Sequence, residues 1–388
     1  MNVGKIIKNE LEKPGRDLKD KDLALILNIS NSKVFKIINN KAPILFHDWV
    51  RFIKVFCPER EDELVEKFYK NDISGPGSTT CRRTMMEYFS ISGKLDNLEE
   101  LVNIELKSTN KENYAWAKAY SYVLKYHRTL KPSLSLLEDF EEFNPTRTIP
   151  RFIMKLLRVY VLYHVHYFKQ FFDTILQLKN EIKSFTNPLI KECFEVRIAN
   201  LLSDAHLFAT ANVEESRKYA EFVLNSNIPC ARFKLNLYYN MGVSYLFENY
   251  DLFKSNIDKY ISKLKEFNLT NRLDYVINND IAFADTYWEK KRTNIENYDI
   301  LEKAHHEARL GEKQKALEYL LQARNKSDAF YKCYKGIALS DPNLLLESMR
   351  EFEQTGQKFF AQLPLNELQK YEGYKEIAEM LYRTIKIA

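Results

Sequence analysis

Glycine and proline are scarce in this chain, 10 and 11 among 388 residues. So few turn formers cannot punctuate a many-stranded sheet, and helix is expected throughout. Cysteine is scarce as well. Cys57, Cys81, Cys193, Cys230 and Cys333 are an odd number without a CxxC pair, which speaks against a disulfide framework or zinc ribbon and for a reducing compartment. Charge cuts every apolar run well short of the about 18 residues that a membrane span needs, and the N-terminus lacks the apolar stretch of a signal peptide. A soluble protein of the cytoplasm, with no membrane partner, is expected.

Catalytic signatures are missing too: there is no GxSxG, Walker loop, HExxH or glycine-rich dinucleotide turn. His164 and His166 stand two apart and point away from each other on a helix, while His305 and His306 are adjacent, a poor spacing for a shared metal ion. All four read as core or surface histidines, and Tyr160, Tyr163, Tyr167, Phe168, Phe171 and Phe172 as packing between helices. Neither an enzyme nor a cofactor-binding protein is expected.

With 45% apolar residues the chain can bury a large core, and two stretches say how. Residues 240–245 read Asn-Met-Gly-Val-Ser-Tyr, and 311–323 read Gly-Glu-Lys-Gln-Lys-Ala-Leu-Glu-Tyr-Leu-Leu-Gln-Ala. These match the two halves of a tetratricopeptide helical hairpin. In that frame Gly242 lies where the first helix meets the second, Tyr245 fills the space between them, and Ala316 is small because a neighbouring helix crosses closely. Such hairpins bury their apolar faces only by stacking. Breaks in helical periodicity near 107–113, 131–133, 144–150, 187–188, 225–229, 268–271 and 340–343 delimit the helices. At about 34 residues per repeat, the chain from Arg82 onward holds roughly nine hairpins. The expected fold is all-α, a tetratricopeptide-like right-handed α-solenoid whose concave groove suits an extended peptide.

Charge is uneven. Residues 1–60 carry twelve Lys or Arg against seven Asp or Glu, a balance equal to the +5 of the whole chain. A basic N-terminal module on a neutral body suggests a surface for a polyanion. Within it, Lys21 to Leu27 reads as a short helix, Asn28-Ile-Ser as a turn, and Ser32 to Lys41 as a second helix with Val34, Ile37 and Ile38 inward. This is helix-turn-helix spacing. Asn31, Ser32, Lys33 and Lys36 occupy the leading end and outer face of the second helix, where they can meet base edges and phosphates of double-stranded operator DNA. Asn39, Asn40 and Lys41 end it, Asn40 and Lys41 adding to the DNA-binding set. Phe46 to Phe56, with Trp49 and Phe52 as core, closes the domain. The alternative is an ordinary helical cap on a solenoid.

The densest turn-forming cluster, Asn71 to Thr80, marks a linker at 71–81. It separates a helix-turn-helix domain at 1–70 from a solenoid at 82–362, with a C-terminal capping segment at 363–388. In the repeat frame, Asp204, Asn236 and Asn240 fall on first-helix positions facing the groove, and Arg232 lies one turn before Asn236. An Asn amide both donates and accepts, so Asn240 can bond a peptide's NH and C=O together and hold it extended. Arg232 suits a carboxylate or carbonyl, and Asp204 a cationic group or an NH.

Five segments carry a resemblance: Glu195 to Ala205, Glu215 to Ala220, Ser244 to Leu252, Ala282 to Trp288 and Leu363-Pro-Leu. They resemble the arbitrium receptors of temperate Bacillus phages, most clearly from about residue 190 to 375. The resemblance implies a phage-encoded homodimeric transcription factor in the cytoplasm of a bacterial host. It would bind operator DNA when free and promote lysis, and lose that activity on binding a secreted hexapeptide, expected to end in Arg-Gly-Ala. It also implies that the family's peptide-contacting positions fall on Asp204, Arg232, Asn240 and Phe283. Asp204 departs from the family, which has an amide there, and an acidic position of some relatives falls on Gln357. With the mixed aliphatic and aromatic surface near the C-terminus, it places dimerisation on Leu363, Leu368, Tyr371, Ile377 and Leu381. A second class remains open: a scaffold or response-regulator inhibitor of the same repeats that acts by protein-protein contact under peptide control.

Overall fold

The computed structural model describes residues 2–13, 16, 19–73, 78–129, 133–290 and 295–387, with side chains to Thr384. Among them there is helix and no strand. The chain divides into two compact units. The first comprises Met1–Val165, Phe171–Val196 and Asn227–Cys230; the second comprises His166–Gln170, Arg197–Ser226 and Ala231–Ala388.

The first unit opens with α1 (Val3–Leu11), α2 (Asp20–Leu27), α3 (Asn31–Ile38), α4 (Phe46–Phe56) and α5 (Glu61–Ile73). Then come α6 (Thr79–Ser92), α7 (Leu95–Glu105), α8 (Lys111–Arg128), α9 (Leu134–Glu141) and α10 (Thr148–His164). Local chemistry sets the ends. Asn28 takes the left-handed conformation after α2, and the Ser30 hydroxyl accepts from the Lys33 amide at 3.2 Å to cap α3; a short polar side chain there satisfies an amide that the helix leaves open. α1 lies so close to the end of α3 that a Cβ at Gly4 would sit 2.1 Å from the Ile38 carbonyl oxygen. The centre is aromatic: Trp49 and Phe52 are fully buried and stack at 5.5 Å, and Phe46 meets Tyr88 edge-on at 5.4 Å.

That last contact joins α4 to α6, and here the structure differs from the linker expected at 71–81. Asn71 to Ile73 complete α5 and Thr79 to Cys81 open α6, while residues 74–77 lie outside the described set. Arg82 ties the two helices together, with Nε 2.8 Å from Asp72 and a second nitrogen 2.7 Å from Glu105 of α7. The Asn113 amide of α8 donates to the other Glu105 oxygen at 2.6 Å. The helices on either side of this turn-rich stretch therefore belong to one compact unit.

α11 (Phe168–Glu181) and α12 (Pro188–Phe208) have residues in both units. The second unit continues with α13 (Val213–Leu224), α14 (Ala231–Ser244), α15 (Tyr250–Glu266), α16 (Thr270–Tyr275), a π-helical turn (Val276–Ile281) and α17 (Ala282–Tyr287). α18 (Ile300–Arg309), α19 (Lys313–Gln322), α20 (Ala329–Leu339), α21 (Pro342–Gln354), α22 (Gln362–Leu368) and α23 (Lys375–Ile387) follow. Sequence neighbours pack on each other: α13 on α14, α14 on α15, α18 on α19, α20 on α21 and α22 on α23. This is the hairpin stacking of a tetratricopeptide-like α-solenoid. Asn212, Asn249, Asp299, Asp328 and Asp341 each cap the helix that follows.

A Cβ on Gly242 would meet Ile257 of α15 at 2.7 Å, and one on Gly336 would meet Leu345 of α21 at 2.9 Å. Both glycines thus permit close helix crossings at equivalent places in two hairpins. Ala316 is fully buried where α19 packs on α18. Tyr245 is half-buried with the Arg217 guanidinium 3.7 Å above its ring. Tyr167, expected in packing, is 46% exposed.

Candidate functional site

Three first helices of the second unit, α12, α14 and α16, carry a connected row of polar side chains. The Asn240 amide, itself 2% exposed, donates to Asp204 Oδ1 and reaches the Ser203 hydroxyl at 3.4 Å. One turn earlier on α14, Asn236 Oδ1 accepts from the Arg272 guanidinium at 3.1 Å. Both links span 36 residues, so the same position in successive repeats is being joined. Arg232, another turn back, is exposed.

Arg272 is the cation of this row. It lies 5.7 Å over the Tyr260 ring and faces two carboxyls, Asp204 and Asp280. Burial pushes the Asp204 carboxyl up to about 6, against the opposing pull of the Asn240 amide and then Arg272. The same effect takes Asp280 up to about 7, opposed by the Tyr239 hydroxyl and Arg272. Desolvation of the charged form outweighs one shared guanidinium. Asp280 Oδ2 is buried and takes no hydrogen bond. It stands in the π-helical turn, a distortion that redirects side chains and is frequent at functional sites.

Behind the row, Glu302 on α18 accepts from the Tyr334 hydroxyl at 2.8 Å, and burial lifts its carboxyl to about 8. His305 stacks on Tyr334 at 4.3 Å, and its burial drives the imidazole well below its ordinary range. Among the described residues no group of three or more His, Cys, Asp or Glu has the geometry to hold a metal ion.

Asp204 and Asn240 therefore touch, and Asn236 joins them through Arg272. Phe283 and Gln357 do not belong to this row. Phe283 is 5% exposed within rings from Phe247, Tyr287, Phe330 and Phe360, so it is a core residue with little surface for a ligand. Gln357 is exposed at the start of the 3₁₀ turn Lys358–Ala361. Arg272, Asp280 and Tyr239 were not legible as site residues. The 36-residue step from Asp204 to Asn240, applied to Asn236, leads to Arg272 and was the available signal.

At the other expected surface, Asn31, Ser32, Lys36, Asn40 and Lys41 are exposed. Lys33 is partly withdrawn, its ammonium 3.3 Å from buried Asp48. Asn40 also has a structural part, accepting from the Gly4 amide at 3.4 Å. Lys41 lies 5.9 Å over the ring of Phe35, which is 54% exposed.

The dimerisation set divides. Leu363 and Leu368 are fully buried in the core of their own unit, so they hold the cap in place and cannot form a subunit face. Tyr371 and Leu381 are half-buried, and Ile377 is 47% exposed.

The family described as "AimR transcriptional regulator-like" matches residues 61–370. The AimR transcriptional regulator of Bacillus phage SPbeta is 27% identical over 357 residues, covering 87% of each chain. Two solved structures share the fold at 22% identity. "Structure of SeMet-phAimR" aligns with a TM-score of 0.68 over 98% of this chain and 100% of that one. "Structure of phAimR-Ligand" aligns with 0.64 over 84% and 98%. The family is one of transcriptional regulators, not of enzymes.

Proposed function

The chain belongs to the AimR transcriptional regulator-like family, and on that footing we propose that it is a cytoplasmic, peptide-responsive transcription regulator of a phage lysis-lysogeny decision. Its ligand is a short secreted peptide, a hexapeptide expected to end in Arg-Gly-Ala, held along the polar row of α12, α14 and α16. The free protein, as a homodimer, binds operator DNA through α3, and the peptide abolishes that activity. The observation that carries this reading is the ladder from Asp204 to Asn240 and from Asn236 to Arg272: amides at repeat spacing on adjacent helices suit the regularly spaced NH and C=O groups of an extended backbone. The related phAimR solved together with a ligand adds support.

The test is calorimetric titration with hexapeptides of that ending, paired with a gel shift on DNA from the phage's own regulatory region with and without peptide. Saturable binding together with loss of the shifted band is expected. A band indifferent to bound peptide would sink the reading. A second reading, a head that grips a protein, draws on exposed Leu25 and Phe35 and on the ion pair that occupies Lys33. Salt separates the two, because DNA affinity falls steeply as counterions are added.

A further inference from the structure

We propose that Asp280 forms the subsite that takes a positively charged side chain of the bound peptide. This inference rests on the peptide-binding reading and deepens it. Gln357, where the resemblance implies an acidic residue in some relatives, is a neutral amide in this chain and offers no charge to such a group.

Two carboxyls, Asp204 and Asp280, face one guanidinium, that of Arg272. Arg272 is already engaged, donating to Asn236 and lying over Tyr260. Asp280 Oδ2 is left buried without a hydrogen bond. An unsatisfied buried acceptor costs free energy unless something arrives to fill it. The groups around Asp280 come from every neighbouring element: Tyr239 on α14, Tyr260 on α15, Arg272 and Tyr275 on α16, and Glu302 on α18. Arg272 is the cation of this set, against Asp280 and Glu302, with Asp299 beside Glu302 adding to the acidic side, so when the carboxyls ionise the site holds excess negative charge.

Burial leaves Asp280 partly protonated near neutrality. A guanidinium or ammonium entering beside it favours the ionised form, and the proton leaves to solvent. Binding of a cationic peptide is therefore coupled to proton release through Asp280, while a neutral peptide of the same shape has no such coupling. Asp280 stands in the π-helical turn, which rotates its side chain by about a quarter turn from where a regular helix would set it.

The test is calorimetry at about pH 7, where Asp280 is half-titrated, with hexapeptides ending in Arg-Gly-Ala and their citrulline counterparts, in two buffers of different ionisation enthalpy. The wild type should prefer arginine by tenfold or more and release a proton on binding it. Asp280→Asn, nearly isosteric and checked by its melting curve, should bind both peptides within about twofold and release none. If it retains the tenfold preference, the subsite is overturned while the groove stands. If neither peptide binds the wild type, the groove reading falls and the subsite with it. Should Asp280→Asn not fold, the wild type decides: no preference for arginine and no proton release overturns the proposal.

Discussion

Arg82 in the first unit and Arg272 in the second are both arginines among carboxyls and asparagines, yet the two surroundings differ in how their carboxyls are met. Arg82 bonds Asp72 and Glu105 directly, and Asn113 takes the remaining Glu105 oxygen. Four helices are tied through two carboxylates met on every oxygen, with the Ser78 amide on the other Asp72 oxygen, while the neutral Asn113 Oδ1 stays buried without a partner. Arg272 bonds Asn236, faces both Asp204 and Asp280, and leaves Asp280 Oδ2 with no hydrogen bond. Carboxylates met on every oxygen hold helices together, whereas a carboxyl oxygen without a hydrogen bond keeps charge and hydrogen-bonding capacity to spare.

Breaking the Arg82 network should have the largest effect. Arg82→Ala leaves Asp72 and Glu105 as buried carboxylates without their partner, and the expected loss of stability is about 3 kcal/mol, read by denaturant unfolding of the full chain. An unaltered midpoint would mean that the network contributes nothing beyond packing. On the polar row of the second unit, Asn240→Ala removes the amide that bridges α14 to α12. Peptide binding should weaken by roughly tenfold to a hundredfold, from about 1 to 3 kcal/mol of unpaired backbone groups, with Arg232→Ala of similar size. Neither should reduce DNA binding in the absence of peptide, so a gel shift without peptide is the control.

Titration sharpens the contrast. Asp204 and Asp280 are lifted in the folded state to about 6 and about 7 from about 3.9 when unfolded. Their protonated forms therefore stabilise the fold fully below about pH 4, and that contribution is lost as pH rises through 6 and 7. Unfolding midpoints of the wild type should fall across that window, and Asp280→Asn should flatten the fall by on the order of 1 kcal/mol. The same slope in both proteins would show that Asp280 does not titrate there.

The smallest effect concerns the head. Lys36 is exposed while Lys33 is paired with Asp48. If α3 meets phosphates, Lys36→Ala should flatten the salt dependence of DNA affinity by about 0.9 and Lys33→Ala by less. Equal slopes for both variants would show that the ion pair opens on binding DNA.

The helical class, the hairpin frame and most breaks were legible because they depend on neighbours within a turn or two. Scarce glycine and proline and caps such as Asn249 and Asp341 act locally. Asp204 and Asn240 could be placed on one face because a repeat carries its register along the chain. Phe283 and Leu363 could not be sorted into surface or core this way. An apolar residue reads alike in both settings, and only the rings and aliphatic groups packed from distant helices decide that these two are interior.

By itself the sequence determined that this chain is a stack of helical hairpins behind a short basic helical head, since periodicity, capping and turn chemistry are properties of short windows. Tertiary structure alone decided that Asp72 and Arg82 bond within one compact unit, that Leu363 and Leu368 face inward, and that Asp204 and Asp280 both face Arg272. Burial, charge pairing and the displacement of a carboxyl's titration arise between residues tens of positions apart, and they exist only once the helices have stacked.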